Sequence, residues 1–253
     1  MIKLHNTNSL ELTPGFNKPF FNMLRGNIES ITREFDNTYT YRLKIPQGFH
    51  FVPGQYVHLM APGGGLGEGM VRHMSIASTP EDGELVFSMD LSSRTPFKQR
   101  FAEAEVGDEL RLFRIKGEFT LDHIRSGDRL LFIAGGIGIT PFRSLIRHID
   151  QTGLVNPWSL MYVGRNYLFT SDIDEAVRRD SLQRSVHYIG RKEIPETLGR
   201  LMTGGTAEAA NQADMQNLQC FIGGSEGFVE SLKSMVIAQG VTEEHIRLEN
   251  FNH

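Results

Sequence analysis

The sequence predicts two domains in series, an antiparallel β-barrel followed by an α/β domain with a parallel sheet. The first half carries about six short strand-like runs at close spacing with a single helical segment. The second half alternates apolar strand-like runs with amphipathic helical ones. We therefore divide the 253 residues into an N-terminal arm at 1–23, a barrel at 24–125 and an α/β domain at 126–253.

Composition excludes several classes of protein. The net charge of −4 does not favour binding to nucleic acid, whose phosphates are also negative. No apolar run reaches the length of a membrane-spanning helix. The N-terminus lacks a signal-peptide pattern. A single cysteine, Cys220, excludes an internal disulfide and a Cys-ligated iron–sulfur cluster in this chain, and it predicts a reducing, cytoplasmic location. The nine histidines lack the spacing of a zinc site, so we expect no metal site.

The predicted barrel elements follow one another closely. Runs rich in Ile, Thr, Tyr and Phe with rough alternation predict strands at 26–35, 38–45, 55–61, 71–78, 84–91 and 109–115. Asp36-Asn37 is a turn signal between the first two, and Thr95-Pro96 begins a short helix through about Ala104. The glycine-rich segment 62–69 has no Lys-Ser/Thr and no helix after it, which favours a flexible hairpin connection over a phosphate loop.

The stretch 130–148 predicts a strand, a tight glycine turn and a helix. An apolar run at 130–134 precedes Gly135, Gly136 and Gly138, and Thr140-Pro141 begins the helix. Such a turn lets the backbone approach a ligand closely and directs helix N–H groups toward a phosphate. The dinucleotide fingerprint is only partial because Pro141 replaces its third glycine, so an ordinary strand-to-helix turn remains an alternative.

Regular α/β alternation continues to the end of the chain. We predict strands at 158–163, 185–189, 218–222 and 245–248, and helices at 172–179, 194–202 and 228–238. Thr170 or Ser171 is the expected N-cap of the first of these helices, residues 203–215 are expected to form a loop, and Gly223-Gly224-Ser225 a further glycine turn. Gly135, Arg165 and Gly223 then fall at the carboxyl ends of strands, where parallel sheets bind ligands.

Arg72 lies in the middle of an otherwise apolar predicted strand. A charged group in that position needs a partner. One interpretation is a phosphate anchor, because guanidinium binds phosphate oxygens with paired N–H donors. The alternative is a salt bridge or a position at the end of the barrel.

Short motifs in a specific order give the chain a family resemblance. The order is Gly54-Gln55-Tyr56, Arg72-His73-Met74-Ser75, Gly107-Asp108, Gly117-Glu118-Phe119 and then GGIGITP at 135–141. Over roughly residues 27–251 this pattern resembles the ferredoxin–NADP reductase family of flavoenzymes. The resemblance implies that the six-stranded barrel binds FAD and that the α/β domain binds NADPH or NADH.

The resemblance also implies roles for residues of the barrel. Arg72 would hold the FAD pyrophosphate, Ser75 would lie near flavin N5, and Thr95 would begin the helix that faces the pyrophosphate. The full set of implied FAD contacts is Arg72, His73, Met74, Ser75, Met89, Leu91, Thr95 and Phe97. Met74 departs from the family pattern, which has a Tyr stacked on the flavin at that place.

In the α/β domain the resemblance implies pyrophosphate and nicotinamide contacts from Gly135, Gly136, Gly138, Thr140, Pro141, Gly223 and Gly224. Ile222 replaces the family's Cys beside the nicotinamide, and Cys220 lies two residues too early, so we interpret Cys220 as a buried structural thiol. Arg165, before Asn166, is either a contact of the NADP 2′-phosphate or a solvated side chain. Arg191-Lys192 would serve equally, which leaves NADPH and NADH both open.

Glu249 and Phe251 correspond to the family's C-terminal Glu-x-Phe. Glu249 would approach the flavin and relay protons, and Phe251 would cover the ring. Together with Ser75, Glu249 would tune hydride and proton transfer. The alternative for both C-terminal residues is a disordered tail.

The resulting hypothesis is a flavoprotein oxidoreductase that passes hydride from NAD(P)H to FAD. Electrons would then leave to an acceptor protein of the ferredoxin or flavodoxin type, to an oxygenase component or to a small molecule. The alternatives are an FAD-bearing electron-transfer subunit of a larger complex, a reductase of free flavin or a small oxidant, and a regulatory protein that binds a dinucleotide without turnover.

Overall fold

The computed structural model describes residues 23–65, 69–203 and 216–251. Three predictions therefore lie wholly or partly outside the described residues: the N-terminal arm up to residue 22, positions 66–68 of the glycine-rich connection, and residues 204–215 of the expected loop.

Six antiparallel strands and one helix form the first half. The strands are β1 (Leu24–Phe35), β2 (Thr38–Lys44), β3 (Tyr56–Met60), β4 (Val71–Ser75), β5 (Glu84–Asp90) and β6 (Glu109–Lys116), and the helix is α1 (Pro96–Ala102). They are hydrogen-bonded in the order β4-β3-β6-β1-β2-β5. The two edges of the sheet meet beyond β4, where Ala77 N donates to Val86 O at 2.9 Å. The predicted six-stranded antiparallel barrel is confirmed.

The barrel encloses its own apolar core. Val57 and Leu59 on β3 point inward at alternate positions and are fully buried, as the two-residue period of a strand requires. Helix α1 covers one end of the barrel with Phe97 and Phe101. Tyr41 anchors that helix by donating its hydroxyl to Phe101 O at 2.6 Å.

A five-stranded parallel sheet forms the second half. Its strands are β7 (Arg129–Gly135), β8 (Trp158–Val163), β9 (Arg184–Ile189), β10 (Leu218–Ser225) and β11 (Ile246–Phe251), in the order β11-β10-β7-β8-β9. The described helices are α2 (Thr140–Thr152), α3 (Thr170–Arg179), α4 (Ile194–Met202) and α5 (Glu226–Ala238). Apolar clusters cover both faces of the sheet, so the predicted parallel α/β architecture is confirmed.

Across the described ranges, no helix combines the length and apolarity that crossing a membrane requires.

Two local expectations differ from the structure. Gly223-Gly224-Ser225 does not form a turn but continues β10, pairing with Glu249, Asn250 and Phe251 of β11. The C-terminal strand is correspondingly longer than predicted. Helix α3 begins after Phe169, whose φ is 62°, and neither Thr170 nor Ser171 caps it. The left-handed conformation of Phe169 places its ring against Arg143, a tertiary contact that local capping signals do not reveal.

Helix α2 joins the two halves through one polar face. Ser144 Oγ accepts from Gly54 N at 2.9 Å, and Arg143 Nη1 donates to Ala77 O at 2.7 Å. One turn later Arg147 Nε donates to Asp82 at 2.9 Å. Positions three or four apart lie on the same face of a helix, so these contacts orient the barrel against the parallel sheet.

Arg143 is the buried centre of this interface, since it is only 5% exposed and also pairs with Asp172 at 2.6 Å. We expect Arg143→Ala to lower the free energy of unfolding by about 3 kcal/mol, because it leaves buried polar partners unsatisfied. Urea denaturation measures this. Arg179→Ala is the matched control, since the Arg179 side chain is itself exposed and its loss should change stability little. Equal effects of the two substitutions would contradict the assignment.

Candidate active site

Two adjoining cavities lie between the barrel and the parallel sheet. The barrel cavity has a volume of about 510 Å³ and is walled by β4, β5, α1 and the end of β11. The sheet cleft has a volume of about 900 Å³ and lies at the carboxyl ends of β7 to β10. Both volumes lie in the range of small-molecule sites, about 300–1,000 Å³. Asp90 and Ile137 line both spaces, so two ligands bound there would be neighbours.

One wall of the barrel cavity carries two cations, Arg72 and Lys98. Among the described residues neither is in a salt bridge, and the Arg72 guanidinium donates to the backbone oxygen of Val71 at 2.8 Å. The salt-bridge alternative for Arg72 thus finds no carboxylate partner in the described ranges. Burial and the charge of Arg72 lower the pKa of Lys98, while Asp90 opposes them. Two cations without ion-pair partners suit the oxygens of a phosphate group.

Ser75 and Glu249 both line this cavity and lie close together. Ser75 ends β4, and Glu249 is held on β11 by pairing with Gly223 of the neighbouring strand. The Ser75 Oγ is buried and forms no hydrogen bond of normal geometry within the described part of the chain. Burial raises the pKa of Glu249 to about 7, and the nearby Ser75 hydroxyl acts in the opposite direction. Glu249 can therefore hold or release a proton near neutral pH.

Most of the predicted FAD contacts meet at the barrel cavity. The predicted residues that line it are Arg72, His73, Met74, Ser75, Met89, Thr95, Phe97, Thr140, Glu249 and Phe251. Leu91 does not line it but packs against the barrel core. Thr95 caps α1 by accepting from Lys98 N at 3.4 Å. Because Glu249 and Phe251 belong to a paired strand, the alternative of a disordered tail does not describe them.

Sequence reasoning missed several residues of this cavity. Tyr56 lines it, although the sequence motif Gly54-Gln55-Tyr56 indicates only the family resemblance. Lys98 also lines it, and its place in the first turn after Thr95 was an available signal. Met74 occupies the wall where the family has an aromatic ring. The aromatic side chains of this cavity are instead those of Tyr56, His73, Phe97 and Phe251.

The sheet cleft is built from successive strand ends. Gly135 and Gly136 contribute the end of β7, Arg165 the end of β8, and Arg191 and Lys192 the end of β9. Parallel sheets bind ligands at this edge. Both cationic candidates for the nucleotide, Arg165 and Arg191-Lys192, are therefore brought to the same space.

The barrel also contributes to the sheet cleft, which the sequence did not predict. The β1–β2 turn at Asp36-Asn37 lines the cleft. Asn166 Nδ2 donates to the Asp36 carboxylate at 2.9 Å, joining the turn to the end of β8.

The remaining predicted glycines serve close packing and do not line either cavity. A Cβ on Gly138 would lie 2.5 Å from Gly223 O, and one on Gly223 would lie 2.8 Å from the Phe142 ring. A Cβ on Gly224 would lie 2.7 Å from Phe228. These glycines let the turn after β7 cross β10, and that crossing brings Ile137 and Thr140 to the barrel cavity. Pro141 is buried in the first turn of α2.

Cys220 is fully buried in β10, and burial raises the pKa of its thiol to about 12. A thiol in that state is a poor nucleophile, in keeping with a structural role.

Within the described ranges there is no group of three or more His, Cys, Asp or Glu side chains arranged to hold a metal ion.

Comparison with known proteins finds similarity to reductases. No protein-family model matches it. It is 25% identical over 228 residues to the oxidoreductase NdmD of Pseudomonas putida, covering 87% of this chain and 36% of that protein. It is 32% identical over 164 residues to a flavodoxin/ferredoxin–NADP reductase of Rhodobacter capsulatus, covering 61% of this chain and 58% of that one. The chain spans 36–42% of the length of NdmD and of the next two relatives.

The fold comparison agrees with the sequence comparison. The ferredoxin–NADP reductase of Plasmodium falciparum superposes with a TM-score of 0.74 at 14% identity, covering 93% of this chain and 98% of that one. Other relatives are named as reductase or electron-transfer components of oxygenase systems. The resemblance inferred from the motifs is confirmed: the relatives and structural neighbours are ferredoxin–NADP reductase-like oxidoreductases.

The raised pKa of Glu249 predicts a pH-dependent effect of Glu249→Gln. Between pH 4.5 and 7 the native carboxyl keeps a proton that the unfolded chain has lost, so the folded protein loses stability as the pH rises through this window. Glutamine removes that loss. We expect the FAD-free variant to match the parent near pH 4.5 and to be more stable by ~2 kcal/mol at pH 8. Urea denaturation at both pH values measures this, and an equal difference at the two would contradict the burial of the charge.

Proposed function

We propose that this chain is an oxidoreductase that binds FAD in the barrel cavity and NADPH or NADH in the sheet cleft, and passes electrons onward to an acceptor. The observation that carries the proposal is the Ser75–Glu249 pair in the barrel cavity, which adjoins the sheet cleft through the shared lining residues Asp90 and Ile137. A carboxyl that can hold or release a proton near neutral pH, in one of two adjoining ligand cavities, suits transfer between two bound cofactors. Residues 24–125 are the proposed FAD domain and residues 126–253 the proposed NAD(P)H domain.

The residues of the barrel cavity fit FAD. Arg72 and Lys98 would bind the pyrophosphate, and the buried Ser75 Oγ, which lies beside Glu249, would offer a hydrogen bond to a ligand in the cavity. Tyr56 and Phe251 offer ring surfaces that Met74 does not. When bound, FAD supplies the acceptance of hydride from a reduced nicotinamide and the onward transfer of electrons.

The protein's contribution to the reaction is orientation and proton handling. The turn at 135–137 and the cations Arg165, Arg191 and Lys192 would hold the nucleotide by its phosphates. Ser75 would fix the position of the ligand ring, and Glu249 would supply or take up a proton near neutral pH. Neither acts as a nucleophile.

The proposed acceptor is an electron-transfer protein of the ferredoxin or flavodoxin type, or an oxygenase component. The names of the relatives support this class. We also propose a cytoplasmic location, since the single thiol is free and buried and suits a reducing compartment.

The visible absorption spectrum tests the proposal. We expect the protein, as purified or after reconstitution with FAD, to show flavin bands that bleach under anaerobic NADPH or NADH. The nucleotide that bleaches them faster identifies the physiological donor. A protein that takes up no FAD, or whose bound FAD is reduced by neither nucleotide, would refute the proposed function.

Arg72→Ala should weaken FAD binding roughly 10- to 100-fold, because it removes charge-assisted hydrogen bonds to the phosphates. Equilibrium dialysis or fluorescence titration of the FAD-free protein measures the dissociation constant. The matched control is Arg100→Ala, which removes an exposed arginine from the same neighbourhood and should leave the constant unchanged. Full flavin affinity in the Arg72 variant would show that the pyrophosphate lies elsewhere.

A further inference from the structure

Two histidines lie side by side on the outer surface of the barrel, close to the barrel cavity. His58 on β3 and His73 on β4 are paired directly across the antiparallel ladder, so their side chains emerge on the same face. Their Nε2 atoms are 2.9 Å apart. His73 is exposed and His58 half-buried, so the pair is accessible from solvent.

The hydrogen bonds assign a tautomer to each ring. His58 Nδ1 lies 3.1 Å from Arg114 O. A backbone carbonyl only accepts, so His58 carries its proton on Nδ1 and presents the lone pair of Nε2 to His73. An imidazole that donates one N–H to a carbonyl and offers its other nitrogen is the arrangement typical of metal-ligating histidines.

Burial lowers the pKa of both rings. For His58 the hydrogen bond to Arg114 O acts in the opposite direction, while His73, Arg114 and Lys116 lower the pKa further. For His73 the charges of Lys116 and Arg72 lower the pKa further. Because protons compete with metal ions for imidazole nitrogen, rings that resist protonation are available as ligands at neutral pH.

We propose that His58 and His73 form a surface site for a divalent transition metal, with Cu²⁺ preferred and water as the remaining ligands. Two nitrogens 2.9 Å apart, each about 2.0–2.1 Å from a metal, subtend an angle of about 90° at it. That is the angle between adjacent ligands in the tetragonal geometry of Cu²⁺, which also binds nitrogen ligands most tightly in the divalent series.

Binding replaces the hydrogen bond between the rings and changes no oxidation state. The proton on His73 Nε2 moves through solvent to its Nδ1, which frees the second lone pair for the metal. The nearby cations oppose a second positive charge, so removing one of them should strengthen binding. The site does not depend on the proposed flavin chemistry, although His73 lines the same cavity.

Cu²⁺ alone is the probe. One equivalent is added to the full-length, FAD-free protein, and the electron paramagnetic resonance spectrum and the dissociation constant are measured. We expect a spectrum with two equatorial imidazole nitrogens, and a loss of affinity of about tenfold or more in His58→Gln. His50→Gln, which changes an exposed histidine outside the pair, is the matched control and should behave as the parent.

Two further variants keep the test independent of folding. His73→Gln should cause the same loss as His58→Gln, and circular dichroism establishes that each variant is folded. Lys116→Gln should raise the affinity about two- to fivefold by removing a repulsive charge. A two-nitrogen spectrum that survives both histidine substitutions, or a parent protein that gives only a one-nitrogen or aqueous spectrum, overturns the site. Neither outcome bears on FAD binding.

Discussion

The position of helix α2 is the constraint on which the rest of the structure depends. Its first turn follows the glycine crossing that brings Ile137 and Thr140 to the barrel cavity, and its side face binds the barrel through Arg143 and Arg147. One helix thus fixes both the position of the glycine turn beside the sheet cleft and the docking of the two halves. A shift of this helix would change the distance between the two cavities.

The docking interface is polar and buried, which favours a defined orientation over great strength. Burying a charged side chain is costly unless every partner is in place. Arg143 meets this demand with a backbone oxygen, the Asp172 carboxylate and the Phe169 ring. Alternative arrangements of the two halves would leave these groups unpaired, so the interface selects one geometry. Cofactor chemistry between two domains depends on such a fixed geometry.

Much of the fold could be predicted because strand and helix periods are local properties of the sequence. The grouping of Arg72, Ser75 and Glu249 at one cavity follows from the family motifs and not from these periods. The misses share one physical cause, which is dependence on contacts remote in sequence. Gly223 looks like a turn residue, but it is a strand residue that must lack a side chain because Phe142 and Gly138 approach it. Tyr56 and Lys98 became cavity residues only when β3 and α1 converged.

The hydrogen bond between Asp36 and Asn166 joins the barrel to the parallel sheet at the sheet cleft. The barrel hairpin supplies part of the wall of a space that the parallel sheet otherwise builds. A chimera that grafts the α/β half of a relative onto this barrel would therefore inherit an acidic side chain from the host at the mouth of its nucleotide site. Residue 36 is therefore a position at which the two halves of such a hybrid would have to be matched.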